Sequence, residues 1–202
     1  MITLHHLTRS RSKRVTWLFE ELNTPYNLIK HTRDSQTNLA PQSLKDIHPL
    51  GKAPIIVDGD TILCESSSIM EYILDQDQKQ RLRPAKNTPA YYRYLEWSHF
   101  AEGSLSLPLI TKLFMSMEQR DGQKPMDAYI NKEIGVDFSY IENTLSKQPY
   151  FAGEAFTAAD IMMTISLEIA ASIGVLAEKT HTLAYLDKIQ KRVAYIKASA
   201  IG

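Results

Sequence analysis

Residues 50–68 have the sequence LGKAPIIVDGDTILCESSS, and this stretch decides the fold of the first part of the chain. Two short apolar runs, 53–57 and 61–64, lie on either side of Asp58-Gly-Asp60. A glycine near the tip supplies the positive φ of a tight hairpin turn, so the pattern predicts two antiparallel strands. The residues that follow, 66–75, have apolar side chains at helical spacing and serines that can cap a helix. The stretch therefore predicts a β-β-α unit.

A β-α-β unit is predicted upstream. Residues 2–7 and 26–31 have the apolar character of short strands, and residues 12–22 form an amphipathic pattern with period 3.6. A polar stretch with a possible short helix at 41–47 then leads to the hairpin. Two strands joined through a helix are expected to be parallel with a right-handed crossover. We therefore expect a small mixed sheet with helices on its faces.

The second part of the chain has no strand pattern. Prolines and charges at 81–89 indicate a linker. Beyond it, helices are predicted over 89–103, 104–118, 126–146, 157–176 and 182–198. Thr157 and Asp160 have the spacing of a capping box. We expect a first domain at 1–80, a linker at 81–88 and an all-α domain at 89–202, which is an α/β plus all-α fold class.

Composition excludes several functional classes. The 202 residues are 44% hydrophobic, and 23 Lys plus Arg balance 23 Asp plus Glu. This composition argues against disorder and against a generic nucleic-acid binder. The one cysteine, Cys64, excludes an internal disulfide and a Cys-rich zinc site, and the histidines show no metal spacing. Glu168 interrupts the most apolar stretch, 161–177, which favours a core helix over a membrane span.

Three short stretches could bind a ligand. The first, Thr8 to Arg14, enters a helix whose N-terminus favours an anion, and Ser10 and Ser12 could either donate to that anion or cap the helix. The second contains the Ala53–Pro54 bond, which can be cis or trans; a cis bond would turn the Ala53 backbone groups outward. The third, Cys64 to Ser68, could hold a carboxylate and an amino group or could simply cap a helix.

Together these pieces resemble a cytosolic glutathione S-transferase, most of all the bacterial and fungal branch of that family. The resemblance covers essentially the whole chain. It rests on Ser10-Arg-Ser-x-Arg14-Val with Trp17-Leu-Phe-Glu-Glu-Leu22, Pro49-Leu-Gly-Lys-Ala-Pro54, Glu65-Ser66-x-x-Ile69 and Phe151-Ala-Gly-x-x-Phe-Thr-x-Ala-Asp160-Ile.

The resemblance implies a thioredoxin-like N-terminal domain that binds most of glutathione, and an all-helical C-terminal domain. Ser10 would hydrogen-bond the glutathione sulfur, with Ser12 as a rival. Other expected glutathione contacts are Lys45, Lys52, Ala53, a cis Pro54, Glu65, Ser66 and Glu102. The expected apolar wall for the second substrate is Leu7, Phe100, Leu107, Leu109 and Phe114.

The resemblance also implies a cytoplasmic homodimer that uses glutathione as a co-substrate. No permanent cofactor, metal, nucleic acid or membrane is expected. The expected activity is conjugation of the glutathione thiolate to small hydrophobic electrophiles. The alternatives are a glutathione-dependent peroxidase and a non-catalytic ligand-binding or regulatory protein. Serine at the sulfur position disfavours the disulfide exchange of members with a cysteine there.

Overall fold

The computed structural model describes residues 1–202, and its internal contacts divide the chain into two compact units. The first unit comprises Met1–Arg81 and Lys191–Gly202, and the second comprises Leu82–Gln190. The last helix, which the sequence analysis places in the helical domain, therefore packs with the first unit.

The first unit contains a four-stranded sheet and four helices. The sheet order is β2-β1-β3-β4, with β1 parallel to β2 and the other neighbours antiparallel, which confirms the predicted βαβ unit and hairpin. The elements are β1 (Thr3–Leu7), α1 (Ser12–Leu22), β2 (Asn27–His31), α2 (Gln42–Lys45), β3 (Ile55–Asp58), β4 (Thr61–Cys64), α3 (Ser66–Gln76) and α9 (Val193–Ile201).

Helix α9 is attached to α1 by charged and aromatic contacts. Glu21 accepts hydrogen bonds from the Arg192 guanidinium at 2.6 and 2.7 Å and from the Trp17 indole at 2.9 Å. The ring of Tyr195 meets Trp17 edge-on at 5.1 Å, and its hydroxyl accepts a bond from Lys13 at 3.0 Å. Glu21 and Trp17 lie one helical turn apart, so a single face of α1 provides this docking surface.

The second unit is entirely helical. Its elements are α4 (Pro89–Phe100), a π-helical segment (Ala101–Leu105), α5 (Ser106–Met115), α6 (Pro125–Leu145), α7 (Ala158–Ser172) and α8 (Thr180–Gln190). The single helix predicted over 182–198 is wrong, because Arg192 has extended backbone (ψ 134°) and separates α8 from α9.

A capping box begins α7, as the sequence predicts. The buried carboxylate of Asp160 accepts bonds from the Thr157 N–H at 2.8 Å, the Phe151 N–H at 3.1 Å and the Tyr185 hydroxyl at 2.9 Å. Helix α7 is buried along most of its length. No helix of the chain combines the length and the hydropathy needed to cross a membrane.

Candidate functional site

The strand registers bring the predicted site segments of the first unit to one edge of the sheet. β1 pairs with β3 so that His5 faces Ile55, and β3 pairs with β4 so that Ile55 faces Cys64. Ala53 and Cys64 both pack against the cluster of Leu7, Leu44 and Ile55, and Arg14 of α1 donates to Ser66 Oγ at 3.1 Å. The β1–α1 loop, the start of β3 and the start of α3 therefore meet.

Ser10 and Ser12 form a closed hydrogen-bond network in the β1–α1 loop. The Ser10 hydroxyl donates to the Leu7 carbonyl at 2.7 Å, so the Ser12 hydroxyl is the donor in the 2.7 Å contact between the two Oγ atoms. Ser12 Oγ also accepts from the Leu7 N–H at 3.2 Å. Ser12 is 0% exposed, whereas Ser10 is partly exposed. Only Ser10 can therefore reach a ligand without a change in the loop.

The start of β3 offers unpaired backbone groups. The Ala53–Pro54 peptide bond is cis, which resolves the alternative that the sequence left open and agrees with the family resemblance. Ala53 is half-buried, and its N–H and C=O make no hydrogen bond within the chain. These two groups have the polarity of a strand edge and can pair with an extended peptide.

Two lysines flank this edge. Lys45 at the end of α2 and Lys52 are both exposed. Gly51 has φ +56°, and a Cβ added to it would lie 2.4 Å from Lys45 Cγ. The glycine is therefore required both by its backbone conformation and by the path of the lysine side chain. Two ammonium groups here favour a ligand carboxylate.

The start of α3 differs from the serine cap that the sequence predicts. Glu65 occupies the N-cap position with φ 71° and makes no side-chain cap bond, while Ser66 is already the first helical residue. The buried Ser66 Oγ accepts a bond from Arg14 Nη1 at 3.1 Å. That bond fixes the position of the Ser66 hydroxyl relative to α1.

Cys64 does not have the character of a reactive thiol. It packs against the cluster of Leu7, Leu44 and Ile55. Burial, and then the charge of Glu65, raise the pKa of the Cys64 thiol above its usual value. Because the thiolate is the nucleophilic form, these effects disfavour redox or nucleophilic chemistry at Cys64.

Comparison with known proteins agrees with the family resemblance. The family model for the glutathione S-transferase N-terminal domain matches residues 4–81, and the model for the glutathione S-transferase C-terminal domain matches residues 106–192. The chain belongs to the glutathione S-transferase family. It is 34% identical over 194 residues to glutathione S-transferase 3 of Schizosaccharomyces pombe, covering 90% of this chain and 78% of that relative.

Solved structures of glutathione S-transferases have the same fold. A glutathione S-transferase from Actinobacillus pleuropneumoniae superposes with a TM-score of 0.89 at 33% identity, covering 99% of this chain and 92% of that chain. A glutathione transferase from Phanerochaete chrysosporium, solved with oxidized glutathione, superposes with a TM-score of 0.82 at 20% identity, covering 98% of this chain and 93% of that chain. At 20% identity, this second similarity shows only that the two chains share a fold.

The other site residues expected from the glutathione S-transferase resemblance differ in exposure. Leu7 is buried in the first unit and Leu109 in the second. Phe100 is half-buried, whereas Leu107 and Phe114 are exposed. In the π-helical segment, the half-buried Glu102 accepts a bond from the Ser106 hydroxyl at 3.2 Å.

Sequence reasoning missed Arg14 as a residue of this glutathione S-transferase site. It lies on the predicted helix 12–22, but its side chain is 0% exposed and donates a hydrogen bond to Ser66 Oγ. Its position one residue before Val15, on the buried side of α1, is the signal that could have identified it. A fully buried arginine is rare unless its hydrogen bonds have a specific purpose.

Proposed function

We propose that the protein conjugates the thiolate of glutathione to small hydrophobic electrophiles. The observation that carries this proposal is the placement of Ser10, Ala53 and Ser66 in a chain of the glutathione S-transferase family. Ser10 bonds to the Leu7 carbonyl, Ala53 packs against the cluster that contains Leu7, and Ser66 accepts a bond from Arg14 of α1. Glutathione is a tripeptide with a thiol, two carboxylates and an amino group. The edge offers a donor or acceptor for each of them.

Each part of glutathione has a proposed partner. The Ala53 N–H and C=O pair with the cysteinyl backbone, next to the cis Pro54. Lys52 and Lys45 attract the glycine carboxylate. At the other end, Ser66 and the N-terminus of α3 hold the γ-glutamyl carboxylate, and Glu65 pairs with the amino group. Glutathione is thus a co-substrate, and binding it leaves the sulfur near Ser10.

Ser10 lowers the pKa of the bound thiol by donating its proton to the sulfur instead of to the Leu7 carbonyl. A free thiol has a pKa of about 8.5, and each unit of depression needs about 1.4 kcal/mol in favour of the thiolate. A charge-assisted hydrogen bond supplies about 1.5–3 kcal/mol. The N-terminus of α1 adds about 0.3–1 kcal/mol. Together these contributions lower the thiol pKa by about one to two units or more.

The reaction that follows is a nucleophilic substitution or addition. The thiol proton passes to water, and the sulfur lone pair forms the new S–C bond. In a substitution a leaving group such as chloride departs with its bonding electrons; in an addition the π electrons of the acceptor move to the neighbouring atom, which takes up a proton from water. The protein need only place the electrophile beside the sulfur, because proximity supplies much of the rate enhancement. The half-buried Phe100 and the exposed Leu107 and Phe114 are the proposed apolar contacts for this second substrate.

The test is ultraviolet difference absorbance of the protein–glutathione complex against pH, with Ser10→Ala and Ser12→Ala as variants. We expect thiolate to appear at least one pH unit below its value in free glutathione, and Ser10→Ala to remove this shift. If Ser12→Ala alone removes it, Ser12 is the sulfur ligand. Glutathione that binds with an unshifted thiol would contradict the transferase proposal and favour a carrier.

We further propose that the protein is a homodimer through α4 and α6. Tyr129, Val136 and Tyr140 lie on one face of α6 and are 57%, 59% and 38% exposed. The Tyr140 hydroxyl donates to Glu96 of α4 at 2.7 Å, so the two helices form a continuous surface with Tyr92. A stripe of exposed apolar residues on adjacent helices is typical of a subunit interface. Glu102 is proposed to face the glutathione of the partner subunit.

Light scattering tests the dimer. Val136→Asp should shift the mass from dimer to monomer, because it buries a charge in the interface. Leu183→Asp is the control, since Leu183 is also an exposed apolar residue, at 43%, but lies on α8. A monomeric wild-type protein, or an unchanged mass for Val136→Asp, would contradict the proposed interface.

A further inference from the structure

Arg33 follows β2 and binds three backbone carbonyls with one guanidinium group. Its Nε donates to Thr8 O at 3.2 Å, its Nη2 to Arg9 O at 3.0 Å and its Nη1 to Asn38 O at 3.0 Å. None of these acceptors is a carboxylate. The planar fork of arginine fixes several donors in one geometry, which a flexible lysine cannot do. Arg33 therefore joins two loops rather than neutralising a charge.

The strand register places Arg33 beside the loop that carries Ser10. β1 and β2 pair in parallel with Leu7 facing His31, and the Thr8 N–H continues the ladder by donating to His31 O at 3.4 Å. Two further residues along this register set Arg9 next to Arg33. The guanidinium thus reaches the β1–α1 loop immediately before Ser10.

The other loop gives Arg33 a rigid support. Asp34 Oδ1 accepts bonds from the Thr37 N–H at 2.8 Å, the Thr37 hydroxyl at 2.8 Å and the Gln36 N–H at 3.1 Å. The Asn38 N–H donates to the Asp34 carbonyl at 2.9 Å. These bonds form a closed turn, so the Asn38 carbonyl is a fixed acceptor for the Arg33 side chain.

The bonds from Arg33 set the direction of the loop amides. In a trans peptide the C=O and N–H groups point in opposite directions, so carbonyls of Thr8 and Arg9 that face Arg33 turn the N–H groups of Arg9 and Ser10 to the other side. Arg9 holds φ 51°, a conformation that residues with a Cβ rarely adopt. The Ser10 N–H makes no hydrogen bond within the chain. The Arg33 bonds therefore hold the carbonyls on either side of Arg9, and the Ser10 N–H is a free donor.

We infer that Arg33 is a positioning residue for the sulfur site. It holds the Thr8 and Arg9 carbonyls so that the loop presents both the hydroxyl and the N–H of Ser10 to the glutathione sulfur, and it does not itself contact glutathione. This inference rests on the proposed transferase function. It predicts that removing the Arg33 guanidinium changes the conformation of the β1–α1 loop and weakens the stabilisation of the glutathione thiolate.

The test compares Arg33→Gln and Arg33→Lys with the wild-type protein. Arg93→Gln is the matched control, because Arg93 in the second unit also donates to a backbone carbonyl, Ala152 O, at 3.5 Å. Ultraviolet absorbance against pH gives the thiol pKa with glutathione alone. We expect both Arg33 variants to raise the bound thiol pKa by about one unit, and Arg93→Gln to leave it unchanged.

Steady-state kinetics with a dinitrochlorobenzene give an independent readout. Near pH 6.5 the Arg33 variants should lose about tenfold in kcat with a much smaller change in the KM for glutathione, since about one unit of thiol pKa is a tenfold change in thiolate fraction. The loss should disappear near pH 9, where the thiol ionises without help. A loss that is equal at both pH values would indicate a general structural defect and would overturn the inference.

Each outcome separates the inference from the proposed function. If wild-type protein does not lower the thiol pKa, the transferase proposal fails, and the inference fails with it. If the wild type lowers it and Arg33→Gln or Arg33→Lys retains the full shift, only the inference fails. Amide hydrogen exchange without glutathione completes the test. The Thr8 N–H, which donates to His31 O at 3.4 Å, and the Ser12 N–H, which donates to Ser10 Oγ at 3.1 Å, should exchange faster in Arg33→Gln, and unchanged exchange would contradict the role of Arg33.

Discussion

Asp137 is a buried carboxyl group that the fold holds in an unfavourable environment at neutral pH. Its side chain lies in α6 and is 8% exposed. Burial, and then the charge of Glu133 one turn earlier, raise the pKa of Asp137 from 3.8 to about 6. Asp137→Asn keeps the size of the side chain and removes the charge. We therefore expect this substitution to stabilise the protein at pH 8.

The magnitude follows from the pKa. A rise from 3.8 to about 6 is about 2 units, and at about 1.4 kcal/mol per unit it corresponds to an upper value of about 3 kcal/mol. Water still reaches part of the carboxyl group and screens its charge, so we expect about 1–2 kcal/mol. This gain is large for a substitution that adds no contact.

The pH dependence gives the prediction its sign. The pKa of Asp137 is higher in the folded chain than in the unfolded chain. The ionised Asp137 carboxylate therefore destabilises the folded state fully above about pH 7, and this destabilisation disappears below about pH 4. Urea unfolding at pH 8 should show the full gain in Asp137→Asn, whereas at about pH 3.5, below both pKa values, the two proteins should have nearly equal free energies of unfolding. Glu133→Gln should give a smaller gain of the same sign at pH 8. An equal gain at both pH values, or none at pH 8, would refute the argument.

Three further predictions concern the first unit. Glu21→Gln should lower the free energy of unfolding by about 2–3 kcal/mol, because it removes the charge from a carboxylate that accepts three hydrogen bonds. A double-mutant cycle with Arg192→Gln measures the coupling between the two residues. Strictly additive effects of the two substitutions would contradict the prediction. Gly51→Ala should lower the free energy of unfolding by about 1–2 kcal/mol, and with it the thermal midpoint, because alanine is strained at φ +56°. It should also raise the KM for glutathione several-fold, because the added Cβ displaces the side chain of Lys45. An unchanged KM would show that Lys45 does not contribute to glutathione binding. His31→Gln should reduce the loss of stability between pH 7 and pH 5. Burial lowers the pKa of His31, so the unfolded chain binds a proton in this range more readily than the folded chain does. Urea titrations at several pH values measure this slope, and an unaltered slope would show that His31 does not cause the loss of stability.

The elements that periodicity and turn chemistry specify were predictable from the sequence. The β-β-α unit follows from an Asp-Gly-Asp turn between two apolar runs, and the capping box of α7 follows from the spacing of Thr157 and Asp160. The division between α8 and α9 was not predictable, because residues 182–198 keep a helical pattern through Lys191 and Arg192. Arg192, the residue with the extended backbone, bonds to Glu21, a residue 171 positions away. Such long-range contacts leave no local signal.

The choice between Ser10 and Ser12 in the candidate site also could not be predicted from local sequence. Ser10 and Ser12 lie in the same basic stretch, and either can cap a helix or bind an anion, so residue type cannot rank them. The structure ranks them through burial, since Ser12 is 0% exposed and bonds to both the Leu7 N–H and Ser10. That ranking depends on the conformation of the loop, and the loop is held by Arg33, which the sequence places after a different strand. The difference in exposure between Ser10 and Ser12 therefore depends on contacts between the segments after β1 and β2, and no motif within the loop could specify it.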